Sequence, residues 1–498
     1  MELFQNLFFG FTVALTLQNV LYCFIGVLVG TLIGVLPGIG PLGTIAMLMP
    51  LTFNVPPVAA LIMLAGIYYG AQYGGSTTAI LVNLPGETSA VITCIDGYQM
   101  ARQGRAGPAL AIAAIGSFVA GTICTLIIAT FAPPIAKMAL KFGAPEYFSL
   151  MLMGLVAAAV LAQGDMLKSL AMVVVGLLFG IVGTDVNSGV PRFTFGTFEL
   201  TDGIGFVILA IGVFAVGEIV SNLGATDERQ VFTDKVTNLF PSWTDFKQSI
   251  GPILRGTGLG AFFGVLPGTG PAIASFSSYV VEKKLAKDPS RFGRGAIEGV
   301  AGPESANNAD AQCKFIPMLT LGIPASGTMA LMLGALMIHG IAPGPQVMTQ
   351  KPELFWGLVA SMWVGNLMLV VLNLPLIGLW VSLLKLPYRF LFPAIMAFSV
   401  IGIYSVNSSS FDVYLTVLFG VLGLLWRLLE CSPVPLMLGF VLGPMLEENL
   451  RRALLMSDGD PSVFFMRPIS LAFNVATVLV LIVMALPAMQ KRWGAIAG

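Results

Sequence analysis

The stretch from Leu110 to Phe131 carries no charged residue, and Leu367 to Leu384 and Ile469 to Leu486 are as apolar. Runs of this kind match the roughly 20 helical residues that cross the hydrocarbon of a bilayer. Lipid offers no partner for a free backbone amide, so a spanning segment is a helix or part of a closed barrel. The runs are continuous rather than alternating, which selects helices. Composition agrees: 56% of residues are hydrophobic and 10% charged, with a mean hydropathy of +0.88, against roughly 25% charged in a soluble chain. Equal totals of 25 acidic and 25 basic residues give no electrostatic footprint for nucleic acid. Met1 to Gln18 lacks a basic start, so no cleavable signal peptide is expected. The five cysteines have neither metal-ligand spacing nor an even count and read as small packing residues.

Within this apolar background one helix-breaking phrase occurs twice, GVLPGIGP at Gly34 to Pro41 and GVLPGTGP at Gly264 to Pro271. A second pair follows in the same order, VNLPGETSA at Val82 to Ala90 and TLGIPASGT at Thr320 to Thr328. Ordered recurrence marks an internal duplication. The halves read as residues 1–222 and 250–498, joined by a polar cytoplasmic linker, 223–249. Short cytoplasmic loops are rich in Lys and Arg. In the first half the basic loop (Arg102, Arg105) follows the second phrase, whereas in the second half it (Lys283 to Arg294) lies between the two phrases. If both loops are cytoplasmic, the halves have inverted topology. The trace puts Thr184 to Asp202 outside, and Lys385, Arg389, Arg427, Lys491 and Arg492 inside; Arg451, Arg452 and Arg467 do not fit it. The expected fold is an all-α polytopic membrane protein of about ten to twelve helices, in two inverted repeats with broken helices and helical hairpins, the architecture of secondary transporters.

Each phrase frees backbone groups at membrane depth, because Pro removes a donor and Gly loosens the helix. Such groups are tolerated only against protein, water or a ligand. Amides at a half-helix start suit a carboxylate, and carbonyls at a half-helix end suit a hard cation. Hydroxyl, amide and acidic residues collect at these points, which favours a binding site over simple kinks. The substrate candidates are Asn83, Pro85, Gly86, Thr88 and Ser89 in the first half. Asn307, Asn308, Pro324, Ser326, Gly327, Thr328 and Lys314 are those in the second. Candidate sodium ligands are Gly38, Gly40, Ser76, Thr77, Gly268, Gly270, Asn308 and Thr320. In GPESANNADAQCKF, Asp310 and Lys314 fit either a functional pair or an i, i+4 pair at a wet helix end. Tyr68, Tyr69 and Tyr73 read as packing residues and His339 as structural.

The segments GVLPGIGPLGTIAMLMPLTF, AGIYYGAQYGGSTTAILVNLPGETSAV, DGYQMARQGRAGPALAIA and PMLTLGIPASGTMALMLGALMIHGIAPGPQVM together resemble the large membrane subunit (TctA type) of the tripartite tricarboxylate transporters, over nearly the whole chain. The resemblance implies a bacterial inner-membrane permease working with a periplasmic solute-binding protein and a small membrane subunit. Such systems take up citrate or another carboxylate, driven by sodium or protons. The family's signature regions fall on Gly38, Gly40 and Asn83 to Ser89, and on Gly268, Gly270, Asn307, Asn308 and Gly322 to Thr328. Lys314 departs from the family pattern, which leaves three roles open: substrate contact, a pair with Asp310, or a local feature.

The expectation is cation-coupled carboxylate uptake, with no cofactor beyond the coupling Na+ or H+. The substrate would lie between the Pro85 and Pro324 hairpins. A stand-alone symporter or exchanger without a binding protein is the alternative. An enzyme acting on lipid-linked substrates would need convergent acids, a His metal motif or a nucleophile–base set, which the sequence lacks. A passive channel fits duplicated broken helices poorly. A homodimer is expected only by analogy with transporters that move one domain against a fixed scaffold.

Overall fold

A computed structural model of the chain describes residues 2–36, 40–83, 85–161, 165–185, 188–216, 239–266, 269–383, 396–397, 400–401, 403–404 and 408–496. Gly38 and Gly268, two of the candidate sodium ligands, lie outside the described residues, as do Lys385, Arg389 and most of the linker. The described chain is helical apart from a two-stranded antiparallel ribbon, Gly183–Thr184 with Pro191–Arg192.

The first half opens with α1 (Glu2–Ala14), α2 (Leu17–Val35), α3 (Gly40–Leu48), α4 (Pro57–Val82) and α5 (Val91–Arg102). Then come α6 (Ala106–Ala139), α7 (Ala144–Leu161), α8 (Met166–Gly180) and α9 (Phe206–Ala210), which runs on as one π turn. The second half has α10 (Trp243–Val265), α11 (Pro271–Leu285), α12 (Glu298–Cys313), α13 (Phe315–Leu321), α14 (Gly327–Ile338), α15 (Gln346–Gln350) and α16 (Pro352–Asn373). It closes with α17 (Ile377–Leu383), α18 (Ser410–Leu428), α19 (Pro433–Met456), α20 (Val463–Met466) and α21 (Pro468–Ile496). Four of these, α2, α6, α16 and α18, are long and apolar enough to cross a membrane. The chain is a multi-pass membrane protein.

Glycine spacing dictates close helix packing. In α2 a Cβ at Gly26, Gly30 or Gly34 would meet the carbonyl oxygen of Met63, Ile67 or Ala71 on α4 at 2.3, 2.4 and 2.2 Å. In α10 a Cβ at Gly256, Gly260 or Gly264 would meet that of Gly302, Ala306 or Asp310 on α12 at 2.2, 2.2 and 2.6 Å. Both numbers in each pair rise together, so α2 runs parallel to α4 and α10 parallel to α12. Small residues every fourth position let backbones touch where lipid supplies no hydrophobic drive for association.

The helix ends also correspond. α2 and α10 both stop in extended backbone, at Leu36 (φ −90°, ψ 105°) and Leu266 (φ −83°, ψ 124°). α4 is capped by left-handed Asn83 (φ 56°, ψ 28°), and α13 by left-handed Gly322 (φ 71°, ψ 21°). Gly and Asn are the residues that tolerate this conformation. Four positions later Glu87 (φ −146°, ψ 167°) and Ser326 (φ −155°, ψ 169°) start the next helical segment in matching extended geometry. Across the centre, Ser76 Oγ lies 2.5 Å from Glu304 Oε2, and the Tyr69 and Phe315 rings lie 6.0 Å apart. Residue numbers rise on one helix as they fall on the other, so α4 is antiparallel to α12 and α13.

The two basic loops meet. Gln103 Nε2 donates to the Arg294 carbonyl at 2.8 Å, and Arg105 pairs with Asp245 at 2.5 Å. Asp245 also completes a capping box with Ser242 that starts α10 inside the segment read as linker. The three arginines that did not fit the trace are all neutralised: Arg451 by Asp185 (3.0 Å) and Glu447 (2.6 Å), Arg452 by Glu448 (2.5 Å), and Arg467 by Glu146 (2.5 Å). Glu146 follows the end of α6 and Arg105 precedes its start, so the Glu146–Arg467 pair and the Arg105 loop sit at opposite ends of a 34-residue helix, about 50 Å long.

Candidate functional site

A cavity of about 520 Å³ opens where the two pairs of broken segments meet. Gly40 to Leu42 line it from the first turn of α3, and Gly270, Pro271 and Ile273 from the first turn of α11. Pro85 to Thr88 and Val91 come from the turn leading into α5, and Ala325 to Thr328 from the turn leading into α14. Four helix beginnings from the paired phrases therefore border one cavity, and the start of α19 adds Ser432 and Val434. The first amides of a helix have no intrahelical acceptor and carry the positive end of its dipole. Ser326 Oγ accepts from the Met329 amide at 3.3 Å, which leaves the Gly327 and Thr328 amides at that helix start without this cap. Thr88, Thr269, Ser326, Thr328 and Ser432 add hydroxyl-bearing positions, Tyr68 a phenol, and Phe214, Val434 and Leu438 an apolar wall. Among the described residues no lysine or arginine lines the cavity.

One acid does line it. Glu87 Oε1 accepts from Asn307 Nδ2 at 3.0 Å and from the Ser89 hydroxyl. Asn307 and Ser89 thus act one step back from the cavity, through Glu87. The next residue on α12, Asn308, points elsewhere: its Nδ2 donates to Ser117 Oγ at 2.6 Å and to the Glu304 carbonyl at 3.3 Å.

The sequence candidates separate accordingly. Gly40, Pro85, Gly86, Thr88, Gly270, Ser326, Gly327 and Thr328 border the cavity. Asn83, Ser89, Asn307, Asn308, Pro324, Lys314 and Thr320 do not. Asn83 is the left-handed cap of α4. Thr320 Oγ1 donates to the Ile316 carbonyl of its own helix at 2.6 Å. Lys314 is fully buried and ion-paired with Asp310, also fully buried. Ser76 and Thr77 border a second, much smaller chamber with Glu304.

Sequence reasoning passed over three acids as site residues. Glu87 and Glu304 stood in or beside phrases already singled out, and their signal was an ionisable residue at membrane depth. Asp96 gave no such signal. It is fully buried on α5, where one carboxylate oxygen accepts from the amides of Gly293, Gly295 and Ala296 at 2.9, 2.7 and 2.9 Å. Its other oxygen accepts from the Tyr279 hydroxyl at 2.9 Å. Asp96 thus ties the first hairpin to the loop that precedes α12.

Among known proteins, the family model described as the Tripartite tricarboxylate transporter TctA family matches residues 20–438. Two relatives come from Agrobacterium vitis. The uncharacterized 52.8 kDa protein in the TAR-I ttuC' 3'region is 59% identical over 492 residues, covering 99% of this chain and 98% of its own. The uncharacterized protein in the TAR-II ttuC' 3'region is 57% identical over 233 residues, 47% of this chain and 96% of its own. No solved structure matches the chain.

Proposed function

Since the chain belongs to the tripartite tricarboxylate transporter TctA family, we propose that it is the large permease subunit of a binding-protein-dependent system that takes up a di- or tricarboxylate across the bacterial inner membrane with a coupling cation. The observation that carries this reading is the convergence of the four broken-segment helix starts on one cavity that, among the described residues, has no basic side chain. A carboxylate moving through lipid needs positive potential, yet a fixed lysine would hold it too firmly for release. Helix-start amides supply partial charges that a low-dielectric site makes effective and that the substrate leaves readily. A volume of about 520 Å³ falls in the usual range for small-molecule sites, roughly 300–1,000 Å³.

The two halves act as inverted repeats in this proposal. Their parallel glycine-packed pairs, matching caps and antiparallel α4 and α12 support that reading. Movement of the hairpin-bearing helices against the rest would expose the cavity alternately to the two sides. Glu87 sets the charge condition. Its carboxylate repels an anion unless a cation enters with the substrate, so net movement is linked to a cation. A periplasmic binding protein and a small membrane subunit complete the system.

The test is uptake of labelled citrate and related di- and tricarboxylates by vesicles holding the chain, its small subunit and the binding protein, under an imposed sodium or proton gradient. Replacing Ser326 and Thr328 together by Val is expected to lower kcat/KM at least tenfold. Glu87→Gln should lower KM for the anion while weakening the dependence on the cation gradient. Uptake that is indifferent to both changes removes the cavity from the pathway.

A further inference from the structure

We propose that the small chamber beside Glu304 is a binding site for a single sodium ion. It rests on the transport reading for its role in coupling, though not for its existence. Glu304 is 1% exposed, on α12, and in the described residues it has no salt bridge. Its carboxylate oxygens are met instead by two hydroxyls, Ser76 Oγ at 2.5 Å and Thr93 Oγ1. An isolated carboxylate buried this deeply is strongly disfavoured unless it binds a cation or takes up a proton. Next to it lies a chamber of about 20 Å³, bordered by Tyr73, Ser76, Thr77, Ser117 and Asn373 as well as Glu304.

Two polar atoms on residues bordering this chamber are left over. Asn373 donates its Nδ2 to the Leu369 carbonyl at 2.9 Å, but its Oδ1 has no partner among the described residues, and neither has the Tyr73 hydroxyl. Both residues are 5% exposed. A buried amide oxygen without a donor is normally satisfied by a water or an ion. A proton on Glu304 would not by itself satisfy that oxygen.

Beside the apolar Leu110, Ala113, Ala114 and Leu374, the polar groups that border the chamber are hard oxygens from one carboxylate, four hydroxyls and one amide, the class that hard cations select. One formal negative charge balances a monovalent ion and leaves a divalent one overcharged. The volume admits about one water-sized particle, which suits sodium better than the larger potassium. The placement also gives a link to the cavity. Consecutive residues of α12 hold the two sites, Asn307 on Glu87 and Asn308 on Ser117. A shift of that single turn on ion binding would be felt at the cavity acid.

The experiment is equilibrium binding of 22Na+ to the purified full-length chain in detergent, by scintillation proximity, with no carboxylate present. Saturable binding is expected for the wild type, competed by unlabelled Na+ and not by K+ or choline. Glu304→Gln and Asn373→Leu should each weaken it tenfold or more. Thr320→Val, whose hydroxyl serves its own helix, should bind as the wild type does. If Glu304→Gln fails to fold, Asn373→Leu with an unchanged elution profile and Tm decides alone. No saturable Na+ binding in the wild type means that the chamber holds water, and binding indifferent to both variants places the ion elsewhere; either result overturns the site. Because no carboxylate is used, failure of the transport reading would show only in the uptake assay.

Discussion

Lys314 shows what a single position conceals until its surroundings are known. Spacing alone left it a ligand for an anion, a partner for Asp310 or a local feature. Burial decides: both side chains are at 0% exposure and joined to each other, and neither borders the cavity. Removing one member of a buried pair leaves an uncompensated charge, which costs about 3–5 kcal/mol, whereas replacing both by apolar groups is often neutral. Lys314→Met alone should therefore lower the detergent-state Tm sharply, and Asp310→Leu combined with Lys314→Met should recover most of the loss. A double variant no more stable than the single one would mean that the pair has a role beyond mutual neutralisation. Glu304 is the converse case. It lies in the polar stretch GPESANNADAQCKF, and only the fold shows that its neighbours are hydroxyls rather than a cationic side chain.

At the scale of helices and turns, most of what matters was legible. The repeated GVLPG phrase predicts two broken helices, and α2 and α10 end on Leu36 and Leu266 in the same extended geometry. The NLPGE and GIPAS phrases predict two reversals, and both begin on a left-handed cap, Asn83 and Gly322. Such features are local, set by Pro, Gly and Asn chemistry within a few bonds. Which glycines carry packing was not legible, because that depends on the opposite helix. Gly258 and Gly260 lie two residues apart on α10; a Cβ at Gly260 would sit 2.2 Å from the Ala306 carbonyl, while one at Gly258 meets nothing within 4 Å. Gly260→Ala should cost about 1–3 kcal/mol as overpacking, while Gly258→Ala should be neutral or slightly stabilising, since Ala is the better helix former. Thermal unfolding of the two variants in one detergent makes the comparison, and equal Tm values would contradict the backbone contact.

For the molecule as a whole, the contact of Gln103 with the Arg294 carbonyl puts the two basic loops side by side. Cysteines introduced at 103 and 294 in a cysteine-free background should cross-link in intact membranes, and each alone should react with an impermeant reagent from the same side. Labelling from opposite sides would defeat the inverted arrangement. Arg451, Arg452 and Arg467 did not fit the positive-inside trace, and each guanidinium has an acidic partner. A loop count of basic residues does not register such pairing. By itself, the sequence determined a polytopic helical protein, the interrupted points and the family, because hydropathy, periodicity and Pro/Gly chemistry are properties of neighbours along the chain. Only the tertiary structure decided that the broken-segment helix starts share one cavity, that Glu87 borders it while Lys314 does not, and that Glu304 stands beside a small chamber. Those facts depend on contacts between residues some two hundred positions apart, where direction and burial, rather than residue type, set the electrostatics.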